Sequence, residues 1–174
     1  WFQNSYVDIP YTVLDGESDL TVSFWYRGIN TDITETIVSA ASGNGTDAAN
    51  EFLIMFQADN DITLTNGASK GEWGSPDQDY RDGRWHHFAV TRNGDTACLY
   101  VDGVDQGEIT IGGVALTVVE GGLILGQDQD DVGGGFESDQ ALRSELDEVR
   151  FWSRALPPEQ VAGDYAAGWR ACVD

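Results

Sequence analysis

The sequence predicts an all-β protein whose antiparallel strands pack in two layers, as a sandwich or jelly roll. Turn residues (Gly, Asn and Asp) punctuate the chain about every 8–12 residues, and the runs between them alternate apolar and polar side chains. Neither an internal repeat nor a low-complexity linker interrupts this pattern. The 174 residues, 41% of them hydrophobic, can bury a sizeable core, so we interpret residues 1–174 as a single domain.

Each predicted strand is a short run bounded by these turn residues. Asn93-Gly94 and Asp102-Gly103 are hairpin turns, because both pairs tolerate the positive φ angles that tight turns require. Two more strands flank an acidic segment, at "GGLILGQ" before it and at "SELDEVRFWSRAL" after it. The other predicted strands are 20–28, 35–42, 51–59, 61–67, 85–92 and 96–101.

One short helix is predicted near the C-terminus, at 157–167. Pro158 suits the first helical turn, and Glu159 complements the positive end of the helix dipole. The predicted architecture is therefore antiparallel β-structure with one short helix.

The charge and the two cysteines restrict the environment and the partners. A formal net charge of −21, from 30 acidic and nine basic residues, disfavours nucleic acid and anionic membranes. No apolar run approaches the roughly 20 residues of a transmembrane helix. A Cys98–Cys172 disulfide would tie down the C-terminus and indicate an oxidising compartment, and two free thiols are the alternative. Because the chain starts at Trp1, we expect a segment excised from a larger secreted or cell-surface protein.

Several motifs together resemble the laminin G-like and pentraxin group of concanavalin A-like lectin jelly rolls. They are "YVDIP", "WHHFAVTRNG", "LYVDG" and "LDEVRFWSRALPPEQV", and the likeness extends from Tyr6 to Tyr165. Two further segments, "ILGQDQDDVGGGFESDQAL" and "ANEFLIMF", are similar to the calcium-binding segments of pentraxins. The resemblance implies an extracellular module that uses calcium to hold a phosphorylated or similar anionic ligand.

The ligand set that this resemblance implies comes from two distant segments. Asp128, the main-chain oxygen of Gln129, Asp130 and Asn50 would serve a first calcium ion. Asp128 and Asp130 would bridge to a second ion, whose coordination the resemblance assigns to Glu137 and Gln140.

The sequence departs from the pentraxin pattern at several positions. Ala49 stands where pentraxins have an acid, and Asp47 is a possible substitute, so one ion or two remains open. Ser23 and approximately Phe88 stand where the pentraxin disulfide would be. Met55 matches the apolar wall of the phosphocholine pocket. Glu72 is a candidate for the acid that meets the choline cation, and Trp73 for an exposed aromatic that stacks on the ligand.

The chemistry of calcium agrees with these residue types. Calcium takes six to eight oxygen ligands, and carboxylates, amides and main-chain carbonyls all qualify. Three consecutive glycines, Gly133, Gly134 and Gly135, allow the chain to turn back so that its two acidic groups meet. Two ions would bring a charge of +4 against three carboxylates, which leaves a local surplus for an anionic or hydroxyl-rich ligand. A solvated acidic loop without any ion is the alternative.

Two other functions are alternatives to this one. A laminin G-like adhesion module would hold structural calcium and bind a protein partner elsewhere on its surface. A glycan hydrolase needs acids on one face of a strand, and we expect Glu145 and Asp147 to share a face while Glu148 lies opposite, so no enzyme is predicted. His86 and His87 are adjacent on a strand and should point to opposite faces, which disfavours one shared metal site. The oligomeric state is left open.

Overall fold

A computed structural model describes residues 5–29, 32–44, 50–74 and 80–171. Short strands alternate with turns, and one α-helix follows the last strand. The elements are β1 (Val7–Asp8), a 3-10 helix (Tyr11–Val13), β2 (Asp19–Arg27), β3 (Glu35–Ala40), β4 (Phe52–Phe56), β5 (Ile62–Asn66), β6 (Ser69–Trp73), β7 (His86–Asn93), β8 (Thr96–Val101), β9 (Val104–Thr110), β10 (Leu123–Leu125), β11 (Glu145–Trp152) and α1 (Pro158–Ala171).

The strands form two sheets whose neighbours are all antiparallel, which confirms the predicted fold class. One sheet has the order β1-β10-β3-β4-β5-β6, and the other has the order β11-β2-β7-β8-β9. Between them lies a core in which the rings of Tyr26, Phe56 and Phe88 meet at centroid distances of 4.6–6.0 Å. Helix α1 packs on the outer face of the second sheet, where Val161 joins Ala89. Among the described residues, none of the helices has the length and hydrophobicity of a membrane span.

Strand β6 was not predicted, and its sequence explains why. "SKGEW" contains a glycine and two charged residues, a composition that is typical of a loop. A Cβ on Gly71 would lie 2.5 Å from Cδ1 of Ile109 on β9. The glycine therefore makes room for a side chain of the opposite sheet, a requirement that only the packed structure reveals.

A β-bulge in β11 overturns one expectation. Pairing with β2 shifts between Asp147 and Arg150, and Glu148 adopts a positive φ of 48°. Leu146 and Val149 both pack on the core although they are three residues apart. Glu148 is therefore not turned to the opposite face but forms an ion pair with Arg150, which also binds Asp164 of α1 at 2.7 Å.

The structure does not show the predicted Cys98–Cys172 disulfide. Cys98 carries a free thiol and, with Leu156 and Pro157, lines a depression just before the start of α1. Cys172 lies outside the described residues.

The two adjacent histidines lie on opposite faces of β7, as strand alternation predicts. His87 is buried between Trp25 and Tyr165, and burial lowers its pKa. His86 instead hydrogen-bonds Asp102 at 2.7 Å and Asp82 at 3.2 Å, and these carboxylates raise its pKa, Asp102 most strongly.

This environment predicts a stability contribution from His86 that depends on pH. A base whose pKa is raised by folding stabilises the protein below its unfolded pKa of about 6.5 and loses that effect as pH rises through its folded value. We expect His86→Gln to lower the free energy of unfolding by about 1 kcal/mol near pH 6 and by less at alkaline pH. Urea unfolding of the unmodified domain and of His86→Gln, from about pH 6 to alkaline pH, tests this prediction. His87 is present in both proteins, so its titration cancels in the difference. A difference that grows with pH would contradict the assignment.

Candidate calcium and ligand site

The acidic segment is a loop between β10 and β11 whose two ends are fastened to each other and to β3. Gly126 donates from its main-chain nitrogen to the oxygen of Ile37 at 3.2 Å, and Leu142 donates to the oxygen of Gly126 at 3.0 Å. Thr36 donates to the oxygen of Gln140 at 2.9 Å. The loop therefore starts and ends at one place on the sheet.

The side chain of Gln129 is the internal anchor of this loop. It is completely buried, and its Nε2 lies within 3.1 Å of both the main-chain and side-chain oxygens of Ser39 and 2.9 Å from the oxygen of Gly122. Its Oε1 accepts a hydrogen bond from the nitrogen of Gly133 at 2.9 Å. Because the amide is fully engaged, only the main-chain oxygen of Gln129 is left to serve a cation, which agrees with its predicted role.

The glycine run turns the loop back on itself. Gly133 and Gly135 have positive φ angles of 63° and 67°, and Gly134 donates to the oxygen of Asp131 at 2.8 Å. A Cβ on Gly135 would lie 2.8 Å from the Cβ of Asp130. The returning chain therefore packs directly on Asp130 and places Glu137 near the first acidic group.

Asp128 lies at the centre of this arrangement and is poorly solvated. Its pKa is raised to about 6, by burial first and then by the negative charges of Asp130 and Glu137. Its Oδ1 is buried without a hydrogen-bond partner, and within the described ranges it is the one carboxylate oxygen of this kind. A carboxylate in this position gains from a cation, because protein dipoles do not replace the water that it has lost.

Asn50 supplies a second oxygen of the same kind from a distant segment. Among the described residues its Oδ1 is also buried and without a partner, while its main-chain oxygen accepts a hydrogen bond from Gly67 at 2.9 Å. An amide oxygen and a carboxylate oxygen are both hard ligands of the type that calcium prefers. Asp47 and Ala49, the positions that bear on a second ion, lie outside the described residues.

The remaining predicted ligands lie side by side. Gln140 donates from Nε2 to Oε2 of Glu137 at 2.7 Å, which leaves its own Oε1 for another partner. Asp130 and Glu137 are exposed. Within 5–29, 32–44, 50–74 and 80–171, no three His, Cys, Asp or Glu side chains are grouped as a metal site. The predicted carboxylates Asp128, Asp130 and Glu137 therefore do not form such a group, and the predicted set depends equally on the amide oxygens of Asn50 and Gln140 and on the main-chain oxygen of Gln129.

The structure places the three residues predicted to contact the ligand in different surroundings. Met55 lines a depression of about 610 Å³ together with Gln140, so the predicted apolar wall and the acidic loop meet there. Glu72 is exposed and pairs in register with Thr63, which pairs with Met55, so it lies two strands from Met55 and outside that lining. The prediction for Trp73 is wrong. It is only 6% exposed, packs in the core, and donates its ring N–H to the oxygen of Gly107 at 2.9 Å.

The sequence analysis missed Arg143 and the N-terminal support of the loop. Arg143 lines the same depression as Met55. At the other side of the loop, the ring of Tyr6 packs on Phe136 at 5.1 Å, and Gln127 donates to the oxygen of Ser5 at 3.3 Å. No local pattern signals these contacts, since each joins segments that are far apart in the chain.

The Tyr6–Phe136 contact predicts an effect on calcium affinity. Phe136 precedes Glu137, so loss of the ring that packs on it should loosen the returning part of the loop. We expect Tyr6→Ala to weaken calcium binding about threefold to tenfold, the range for one aromatic pair. Val7→Ala is the matched control, because Val7 is the next residue in the chain and is 45% exposed. Equal affinities of the two variants in a calorimetric titration would contradict the coupling.

The class of protein follows from comparison with known families. Residues 3–162 match the concanavalin A-like lectin/glucanases superfamily, and the chain belongs to it. Membership of this lectin-fold family supports a module that recognises a carbohydrate or another ligand.

Pentraxins are among the relatives, which confirms the resemblance seen in the motifs. C-reactive protein 1.1 of Limulus polyphemus is 32% identical over 148 residues, which are 82% of this chain and 60% of that relative. The crystal structure of a heptameric SAP-like pentraxin from Limulus polyphemus superimposes with a TM-score of 0.71 at 26% identity, covering 86% of this chain and 70% of that chain. A segment of 83 residues, 46% of this chain, is 42% identical to human adhesion G protein-coupled receptor D2 and covers 9% of it. The chain spans 60% of the length of the C-reactive protein that it matches.

Proposed function

We propose that this domain acts outside the cell as a calcium-dependent recognition module. Its ligand is a phosphorylated head group or an anionic or hydroxyl-rich glycan. The observation that supports this most strongly is the pair of buried, unpartnered oxygens of Asp128 and Asn50, which come from segments far apart in the sequence. Buried oxygens normally find a donor, and oxygens that lack one among the described residues are suited to bind a cation.

The charge of the loop explains how a strongly acidic protein would hold an anion. Asp128, Asp130 and Glu137 together repel any anion that approaches. Two bound calcium ions would reverse the charge of these three carboxylates and one ion would reduce it, and either would offer coordination positions to the ligand's oxygens. The Debye length at physiological salt is about 8 Å, so at contact the nearby charges outweigh the overall −21.

The depression beside Gln140 gives the ligand a place to lie. Met55 provides an apolar wall there, and Gln57 holds its amide within 3.1 Å of Thr63 Oγ1. A ligand whose oxyanion lies near the loop would therefore extend the rest of its structure over Met55.

The proposal is for a binding domain and not for an enzyme. Two of the three carboxylates of "ELDEVR" are engaged in ion pairs, Glu145 with Arg27 and Glu148 with Arg150. These pairs hold the acids away from the roles of free general acid and nucleophile.

The test compares retention on phosphocholine and polysaccharide resins in millimolar calcium and in excess EDTA. We expect retention in calcium, release by EDTA, and a calcium affinity that falls sharply in Asp130→Ala. Binding that is equal in EDTA would refute the mechanism.

A laminin G-like adhesion module with structural calcium is the second candidate. The tie that a cation would make between the Asn50 segment and the loop at 126–142 favours it, because such a tie stabilises the fold whether or not a ligand binds. A melting temperature that rises with calcium, without retention on either resin, would support this alternative.

A further inference from the structure

We infer that Arg143 selects the ligand of this site, favouring a ligand with a second anionic group over zwitterionic phosphocholine. The inference rests on the proposed calcium-dependent binding and names the ligand class that the site prefers. Such a ligand carries one oxyanion for calcium and a second, for example a carboxylate, for the guanidinium.

Arg143 lies where a bound ligand would pass. It lines the depression of about 610 Å³ together with Met55 and Gln140, and it is the one positively charged residue in that lining. It also borders a second depression, of about 490 Å³, together with Arg27. The guanidinium therefore stands between two adjoining spaces, the first of which reaches the calcium loop.

The guanidinium has no carboxylate partner in the described part of the chain. Its Nη2 donates to the main-chain oxygen of Ser138 at 3.1 Å, and it has no ion pair within 4.0 Å. Arg27 and Arg150, by contrast, are paired with carboxylates. In a chain with 30 acidic and nine basic residues, an exposed arginine left unpaired beside a ligand pocket is available to bind an anion.

The backbone that carries this side chain is rigidly held. The main-chain nitrogen of Arg143 donates to Oε1 of Glu35 at 2.7 Å, and Ser144 Oγ lies 2.9 Å from both oxygens of that buried carboxylate. Tyr26 donates to Glu35 Oε2 at 2.6 Å. Binding through Arg143 therefore costs only the ordering of its own side chain, because its main chain is already in place.

Two acidic residues that line the same depression make anion binding more dependent on calcium. Asp32 and Asp139 also face this space, and they disfavour an anion unless calcium offsets their charge. These two acids also allow an alternative binding mode, in which a cationic group of the ligand, such as choline, lies between them. Arg143 opposes that alternative, because its guanidinium would repel the same cation.

The experiment compares two probes that share a phosphate monoester and differ at the other end. Phosphocholine carries a trimethylammonium group, and 3-phosphoglycerate carries a carboxylate. Calorimetric titrations in millimolar calcium should show tighter binding of 3-phosphoglycerate by the unmodified domain. Arg143→Gln should weaken that binding about tenfold, as expected for loss of one charge-assisted contact, and should leave phosphocholine binding equal or stronger.

Arg84→Gln is the matched control, since its side chain is 83% exposed and lies outside both linings. It should change neither affinity. A preference for phosphocholine, equal weakening of both probes by Arg143→Gln, no change, or no binding of either probe to the calcium-loaded domain would each overturn the inference. Calcium affinity is measured separately on each variant. Failure to bind calcium refutes the proposed function itself, whereas normal calcium affinity without probe selectivity refutes only the role of Arg143.

Discussion

Replacement of Asp128 by Asn should strongly weaken calcium binding and at the same time make the calcium-free domain more stable. Asp128 holds a buried carboxylate oxygen without a partner, next to the negative charges of Asp130 and Glu137. Asn keeps the size and one oxygen but removes the charge that calcium requires and that the empty loop disfavours. We expect calcium affinity to fall at least about hundredfold. The free energy of unfolding in EDTA should rise by about 1 kcal/mol, which corresponds to a melting temperature about 3 °C higher.

Asp131→Asn is the control for this experiment. Asp131 lies in the same loop, is exposed, and is fixed through its main chain by hydrogen bonds with Gly134. The substitution removes the same charge outside the implied ligand set, so calcium affinity should change little. If Asp131→Asn weakened calcium as much as Asp128→Asn, the effect would reflect the general charge of the loop rather than coordination.

Replacement of Gln129 by Glu should destabilise the fold and impair calcium binding although the side chain is not a proposed ligand. Nε2 of Gln129 lies among three acceptors, two on Ser39 and one on Gly122. A carboxylate there would place an acceptor against acceptors, in a position with no exposure to solvent. We expect a loss of about 3 kcal/mol in the free energy of unfolding, or a melting temperature lower by about 10 °C.

Gln106→Glu provides the matched comparison. Gln106 lies on β9, and its Nε2 donates to the main-chain oxygen of Val104 in an exposed contact. The same chemical change there leaves water free to solvate the carboxylate, so the melting temperature should stay within a few degrees. A Gln129→Glu variant as stable as Gln106→Glu would show that the buried amide does not anchor the loop.

Local chemistry made the hairpins and the turns of the acidic loop predictable. Gly94, Asp102 and Gly103 all have positive φ angles, as expected for the two tight turns that these residues predict. Gly133 and Gly135 also have positive φ angles, in the turns of the acidic loop. Signals of this kind depend on the conformational preferences of one or two residues, so they are visible without knowledge of the fold.

Packing decided the features that the sequence analysis missed. Trp73 stands among Gly, Pro and Asp, where an exposed position is reasonable, yet the core accepts its ring because Gly107 provides an acceptor for the indole N–H. The bulge at Glu148 reverses a face assignment that strict alternation would make, because one extra residue changes the register on only one strand.

The sequence alone therefore determined the class of fold, the turns and the group of oxygen-bearing residues between Asp128 and Gln140. Only the tertiary structure decided that, among the described residues, the buried oxygen of Asn50 shares the unpartnered state of Asp128, and that Arg143 lines the same depression as Met55 without a carboxylate partner. The physical reason is the range of the interactions. Turn chemistry acts within a few residues, whereas burial, the pairing of charges and the solvation of an oxygen depend on which distant segments the two sheets bring together.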